Sequence, residues 1–280
     1  MRKNTLWIRT WIAAIAVGGL WVAMTQQPPQ QPLTVEKLAD DLHVIVGSGG
    51  NVGVLTTAEG VILVDDKFDR NVPEILEKVR SITDKPVRYV VNTHHHGDHS
   101  GGNTTLIRSA AAIVAHDNVY TNMVKGEQPG PPQITFSDKA YVRLGGKALR
   151  AHHFGRGHTN GDAVILFTAH RVIHMGDLFV AGTPFIDYAG GGSAVEWTKT
   201  IDKALTLDFD RVIPGHGPIM TKAELGKWND TFKALRSKAS ELKRKGVTKE
   251  EMANQLKLEE FGWKASANWG RSVPSLYDEL

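Results

Sequence analysis

Four histidines and an aspartate crowd into six residues, His94-His95-His96-Gly97-Asp98-His99, directly after the apolar run that ends in Val90-Val91-Asn92-Thr93. Imidazoles and a carboxylate drawn out of water together are costly unless a cation binds them, and a metal ion can answer all of them at once. In an extended segment His94 and His96 point to one side and His95 to the other, so the first two can converge on one ion while His95 turns away. Gly97 lets the chain fold back, which brings Asp98 and His99 to face a second ion beside the first. A tag-like exposed histidine run would lack the strand before it and the glycine-rich turn Ser100-Gly101-Gly102-Asn103 after it.

The segment resembles the HxHxDH signature of the metallo-β-lactamase superfamily, and further elements of that family follow in its order. Gly157-His158-Thr159 resembles the GHT element that supplies a third histidine to the first zinc site. Gly176-Asp177 resembles the GD element whose aspartate bridges both metals, and Pro214-Gly215-His216-Gly217 resembles the GHG element that gives the last histidine of the second site. The resemblance covers residues 40–220 and rests on four ordered elements, any one of which alone would carry little. It implies two zinc ions per chain: one on His94, His96 and His158, one on Asp98, His99 and His216, with Asp177 between them. The implied fold is α/β, a four-layer αββα sandwich. The implied chemistry is attack of a metal-bridging hydroxide on a carbonyl-type bond of a small molecule, with Asp98 and Asp177 as the groups able to accept or return a proton.

Substrate is where the resemblance divides. The best-known β-lactamase branch carries a cysteine where this chain has Asp177, and three residues later a lysine that holds the drug carboxylate; here that place is Val180. β-Lactam, lactone, ester and thioester hydrolysis therefore all stay open. His96 stands where the redox flavodiiron branch carries glutamate, which favours hydrolysis. Two other classes remain: a mononuclear non-haem iron enzyme like the persulfide dioxygenases, and a catalytically inert metal-binding module. The complete second-site ligand set speaks against the first, and the absence of any lost ligand against the second.

Such a site needs strands to hold its loops. Short β-branched runs at residues 43–46, 52–56, 61–64, 87–91, 113–115, 142–144, 164–167, 172–174 and 211–213 read as strands. Between several of them lie helical patterns, the clearest being Val72, Ile75, Leu76 and Val79, with Pro73 at its start and Asn71 as the expected cap. Residues 222–245 and 249–258 read as outer helices of the same domain, which spans 33–280. Lys233, Arg236, Lys238, Lys243, Arg244 and Lys245 read as a solvated face of the first of these helices. His43, His95, His116, His152, His153, His170 and His174 have no ligand spacing and read as packing or hydrogen-bonded histidines. Asp65, ending the run 61–64, is a candidate acceptor for a metal-binding imidazole. The glycine-rich stretches 47–51 and 183–193 should border the site.

Composition adds location and excludes a partner. Arg2, Lys3 and Arg9 lie in a leader without acid, and setting them aside leaves 30 basic against 30 acidic residues, which offers nucleic acid no electrostatic footprint. The charged start, the apolar run 11–24 and the Gln/Pro stretch 26–32 form an export signal and linker. The expectation is a protein outside the cytoplasm, periplasmic or secreted, with residues 1–25 either removed or kept as an N-terminal membrane anchor. There is no cysteine, so neither disulfides nor thiolate ligands contribute.

Overall fold

A computed structural model describes residues 31–280; the expected leader and the linker up to residue 30 lie outside the described residues. Seven strands form a first sheet in sequential order: β1 (Thr34–Ala39), β2 (Leu42–Val46), β3 (Val52–Thr56), β4 (Val61–Val64), β5 (Val87–Val91), β6 (Ala112–His116) and β7 (Ile134–Phe136). The first four are antiparallel neighbours, and β4 to β7 run parallel. The second sheet has six strands: β8 (Lys139–Leu144), β9 (Lys147–His152), β10 (Val164–Phe167), β11 (Val172–His174), β12 (Arg211–Ile213) and β13 (Met220–Thr221), in the order β13-β12-β11-β10-β9-β8. Its parallel pair is β11 with β12.

The uninterrupted apolar run Val61-Ile62-Leu63-Val64 is what a strand covered on both faces requires. Ile62 and Val64 face the second sheet and pack with Val91, Val114, Ile165, Phe167 and Val172. Val61 and Leu63 face the other way, onto helices α1 (Val72–Ile82), through Val72, Ile75 and Val79, and α3 (Asn103–Arg108), through Leu106. The short helix α2 (Gly97–Ser100) lies in the histidine loop, and α4 (Asp117–Lys125) follows β6. On the far side of the second sheet, Val164, Leu166, Ile173 and Val212 pack under helices α5 (Ala194–Ala204), α6 (Lys222–Arg244) and α8 (Ala267–Glu279), with α7 (Lys249–Gln255) beside them. Trp197, Trp228, Phe232 and Trp263 form the aromatic centre of that layer, with Trp197 and Phe232 ring centres 5.2 Å apart. The layers run helix, sheet, sheet, helix, which is the expected αββα order. Among the described residues no helix is long and apolar enough to cross a membrane.

Three local expectations need correction. Asn71 does not cap α1: it sits at the end of a tight turn, Asp69–Asn71, with helical backbone angles of its own, so its side chain makes no capping bond. The basic face of α6 is only partly solvated, because two of its members are used internally. Arg236 donates to the Thr198 hydroxyl at 2.7 Å, and Lys243 donates to the Tyr277 carbonyl at 2.7 Å with its ammonium over the Tyr277 ring. The second of the two outer helices also stops early, at Gln255, and a short turn over Leu258–Phe261 follows it.

Candidate metal centre

Every proposed ligand lies at the same edge of the sandwich, where parallel strands end. β5 runs into His94, His96, Asp98 and His99; β11 into Asp177; β12 into His216; and the connection from β9 to β10 supplies His158. One donor atom each from His94, His96, His158 and Asp177 falls within a 4.8 Å group, and so does one each from Asp98, His99 and His216. Asp177 reaches toward both. Its Oδ2 lies 3.7 Å from His158 Nε2, while Oδ1 lies 3.2 Å from His99 Nε2 and 3.4 Å from His216 Nε2. Asp98 Oδ2 lies 3.2 Å from His216 Nε2. All seven candidate residues thus converge.

The residues fit metal on the criterion of unmet bonding. His94 is buried and its Nδ1 meets the Thr93 hydroxyl at 3.1 Å, yet its Nε2 has no partner in the protein. Asp177 Oδ1 is also buried without a hydrogen bond of proper geometry, despite its nearby imidazoles. Such groups are rare without an ion or water to answer them.

On His94, His96, His99 and His158 the nitrogen not facing the centre is held by an outer partner, which fixes the tautomer. Asp65, fully buried, accepts from His99 Nδ1 at 2.7 Å, from the Thr93 N–H at 2.7 Å and from the Thr93 hydroxyl at 2.8 Å. The candidate outer acceptor read from the sequence is therefore in place. The Phe185 carbonyl accepts from His158 Nδ1 at 2.7 Å. Asp187, which spacing gave no reason to select, accepts from His96 Nε2 at 2.9 Å and lies 3.7 Å from His95 Nε2. His95 turns away from the centre as expected, while His174 does more than pack. Its Nε2 donates to the Asn51 carbonyl at 3.0 Å, and the Asn51 amide donates to the Pro214 and Gly217 carbonyls at 2.9 Å, clamping the loop that carries His216.

The loop 47–51 lies directly on His99: a Cβ on Gly50 would sit 2.2 Å from that ring, so only glycine fits. Lys67, another residue the sequence reading passed over, is fully buried behind this loop and donates from Nζ to the Gly50 carbonyl at 2.5 Å. Burial pushes its ammonium pKa down to about 8. Asp65 and Lys67 both adopt left-handed backbone angles, with φ of 64° and 60°, a local strain of the kind that gathers at functional sites.

Electrostatically the two groups differ. Burial, with neighbouring imidazoles, lowers the His94 pKa well below its ordinary value and brings His158 to about 4, so both offer neutral nitrogens. Burial also opposes charge on His216 and Asp98, but there the opposite charges win. Asp177 and Asp98 raise His216 to about 9, and His99 with His216 holds Asp98 at about 2. Metal entering the second group must displace protons from imidazoles held by carboxylates, a competition to which His94 and His158 in the first group do not add.

The ligands open on a cleft of about 540 Å³ walled by Val180, Ala181, Gly182, Phe185, Ser266 and Asn268. The last two stand at the start of α8, which reaches the mouth of the site. No lysine or arginine lines this cleft among the described residues.

A sequence profile of the metallo-beta-lactamase superfamily matches residues 45–216. The metallo-beta-lactamase type 2 of Bacillus cereus is 27% identical over 171 residues, which cover 59% of this chain and 66% of that protein. The chain thus spans just under two thirds of the length of that relative. A solved metallo-beta-lactamase from Pontibacter korlensis superposes with a TM-score of 0.65 at 21% identity, covering 72% of this chain and 99% of that one. Another from Pseudomonas aeruginosa, solved in its mono-zinc form, superposes with a TM-score of 0.63 at 19% identity, covering 72% and 94%.

Proposed function

The chain belongs to the metallo-beta-lactamase superfamily, and from that premise we propose that it is a metal-dependent hydrolase that uses two zinc ions to hydrolyse a carbonyl-type bond of a small molecule. His94, His96 and His158 would hold the first ion and Asp98, His99 and His216 the second, with Asp177 reaching both. The observation that carries this reading is the convergence of two donor groups on one cleft, with the buried Nε2 of His94 left for an ion. Bound zinc would supply Lewis-acid polarisation of the carbonyl and a nucleophilic water at neutral pH. The chain supplies the rest. Asp98 and Asp177 face the cleft as carboxylates at neutral pH, able to accept a proton and pass it to a leaving group. Val180, Ala181 and Phe185 give the substrate an apolar wall that limits water, and Ser266 and Asn268 offer neutral hydrogen-bonding groups at the rim. With Val180 in place of a carboxylate-binding lysine, the lining suits a lactone, ester or thioester as well as a β-lactam.

Elemental analysis of the purified protein is expected to give close to two zinc equivalents, and a panel of chromogenic β-lactam, lactone, thioester and phosphodiester substrates is expected to show turnover on the acyl compounds. One tightly held iron without zinc would replace this reading with the oxygenase one. Chelation is expected to abolish turnover and to lower the melting temperature. Metal at a thousandfold excess over its dissociation constant stabilises a fold by about 4 kcal/mol, on the order of 10 °C for a domain of this size. An unchanged melting temperature after complete metal removal would count against the site.

We extend the proposal to location, supported by Arg2, Lys3, the apolar run 11–24 and the Gln/Pro stretch after it. Cell fractionation is expected to recover the protein outside the cytoplasm, and the mass of that form reports whether the leader is removed. Recovery in the cytosol alone would overturn this part.

A further inference from the structure

The loop over residues 183–193 contributes no proposed ligand, yet it touches two of them. The Phe185 carbonyl takes the Nδ1 proton of His158, and Asp187 takes the Nε2 proton of His96. Those two bonds turn His158 Nε2 and His96 Nδ1 toward each other, 2.9 Å apart. Two nitrogens presented at that distance need a shared proton or a cation between them, so the loop sets the donor geometry of the first group. The Asp187 N–H also donates to the His158 carbonyl at 2.9 Å, and Gly190 and Gly192 close the loop back onto Asp187.

A glycine-rich loop holds such positions only if something holds the loop. Here that is α8. Ser272 is buried and bonds both backbone groups of Ile186: its Oγ accepts from the Ile186 N–H at 3.0 Å and donates to the Ile186 carbonyl at 3.1 Å. Glu279 gathers three donors from the loop and its exit, namely the Tyr188 hydroxyl at 2.7 Å, the Ala194 N–H at 3.0 Å and the Ser193 hydroxyl. The Thr183 hydroxyl donates to the Lys264 carbonyl at 2.6 Å, just before the helix. The fastenings therefore grip the loop along its length, on both sides of Phe185 and Asp187. α8 lies outside the stretch matched by the family profile.

We propose that α8 is a strut for the first metal site: Glu279 and Ser272 fix the 183–193 loop, and through Phe185 and Asp187 they fix the orientation of His158 and His96. Glu279 is a positioning residue, more than 60 positions beyond the last proposed ligand. The proposal rests on the reading of His94, His96 and His158 as the first zinc site.

Glu279→Gln in the full chain keeps the shape but turns an amide N–H toward donors. It is expected to weaken binding of the first zinc ion by up to about tenfold in a chelator competition, the low end of the loss seen when an outer partner of a ligating histidine is itself removed, because Glu279 acts through Phe185 and Asp187. In the cobalt-substituted protein the exchangeable imidazole N–H resonances of His96 and His158 are expected to broaden through faster exchange. Asp187→Asn is expected to act in the same direction, and the double variant to be no weaker than the weaker single one, since both act through one loop. Val79→Ala, in α1 on the opposite outer layer, provides a variant destabilised by lost packing whose zinc affinity is expected to stay at the wild-type value. Wild-type affinity in Glu279→Gln, an equal loss in Val79→Ala, or additive losses in the double variant would overturn the strut alone. A wild-type protein that binds no zinc through these histidines would overturn both the strut and the reading beneath it.

Discussion

Replacing Asp177 with alanine is expected to leave the protein folded but with fewer than two bound metal ions, and to cut turnover on the order of a hundredfold or more. The expectation comes from where its two oxygens point. One faces His158 of the first group and the other faces His99 and His216 of the second, so a single substitution removes an anionic donor from both. Burial opposes its ionisation, but the His99 and His216 imidazoles outweigh that and hold its pKa well below the ordinary carboxylate range. The neighbourhood is built around this side chain. A Cβ on Gly215 would stand 1.9 Å from Asp177 Oδ1, so the loop carrying His216 can approach only as glycine. None of the three apolar layers uses Asp177, and the far-ultraviolet circular dichroism should therefore stay as in the wild type. Asp177→Asn separates charge from volume, and a loss of similar size would assign the effect to the missing anion. Two retained metal ions with near-normal turnover in Asp177→Ala would place this residue outside the site.

Most of the ligands were legible because they sit in short glycine-marked loops directly after an apolar strand; His158, six residues beyond β9, was legible from its Gly157-His158-Thr159 element alone. Strands such as Val61–Val64 were legible because burial on both faces leaves an unbroken apolar run. The strands that escaped notice are of the opposite kind. β1 is an edge strand, largely exposed, and its sequence Thr-Val-Glu-Lys-Leu-Ala shows no buried face. β9 opens on Lys147 and carries exposed Arg150 between its two buried positions, Leu149 and Ala151, and β7 and β13 have only three and two residues, too few to show a period. α8 was hidden by Gly270 and Pro274, which read as breakers, although Trp269, Val273 and Leu276 recur at helical spacing and are buried.

The outer partners of the metal centre were legible only where they too ended a strand. Asp65 follows β4 directly and could be named in advance as a candidate acceptor. Asp187 and Phe185 could not: Asp187 lies 91 positions from the His96 it holds, in a stretch that shows only loop composition. Glu279 is 86 positions from Ser193, joined to it by folding alone. Lys67 offered a faint signal, a lysine just after an apolar strand, but nothing in the sequence distinguishes a buried lysine from an exposed one. Local motifs reveal the atoms that meet the metal; the network that orients them depends on contacts between distant layers.

Asp65→Asn is the sharpest test of that network, and it is expected to weaken binding of the second metal ion by about 10- to 100-fold while lowering the stability of the metal-free protein by about 1–3 kcal/mol. Asp65 is fully buried and accepts three hydrogen bonds, from Thr93 N, Thr93 Oγ1 and His99 Nδ1. Asparagine has nearly the same volume but only one acceptor oxygen, so its amide must face at least one of those donors. If the oxygen stays with Thr93, His99 loses the acceptor that keeps its Nε2 free for metal. If the oxygen turns to His99, it keeps the Thr93 hydroxyl as well, since both use that oxygen, but the Thr93 N–H then faces the amide N–H2 and is left buried without a partner. Backbone strain is not the cause, because asparagine tolerates the left-handed angle at this position, φ of 64°, as well as aspartate does. Chelator competition read alongside melting curves with and without zinc separates the two roles. A lower melting temperature with unchanged zinc affinity would make Asp65 a scaffold residue only, whereas weakened binding of the second ion ties its carboxylate to the orientation of His99.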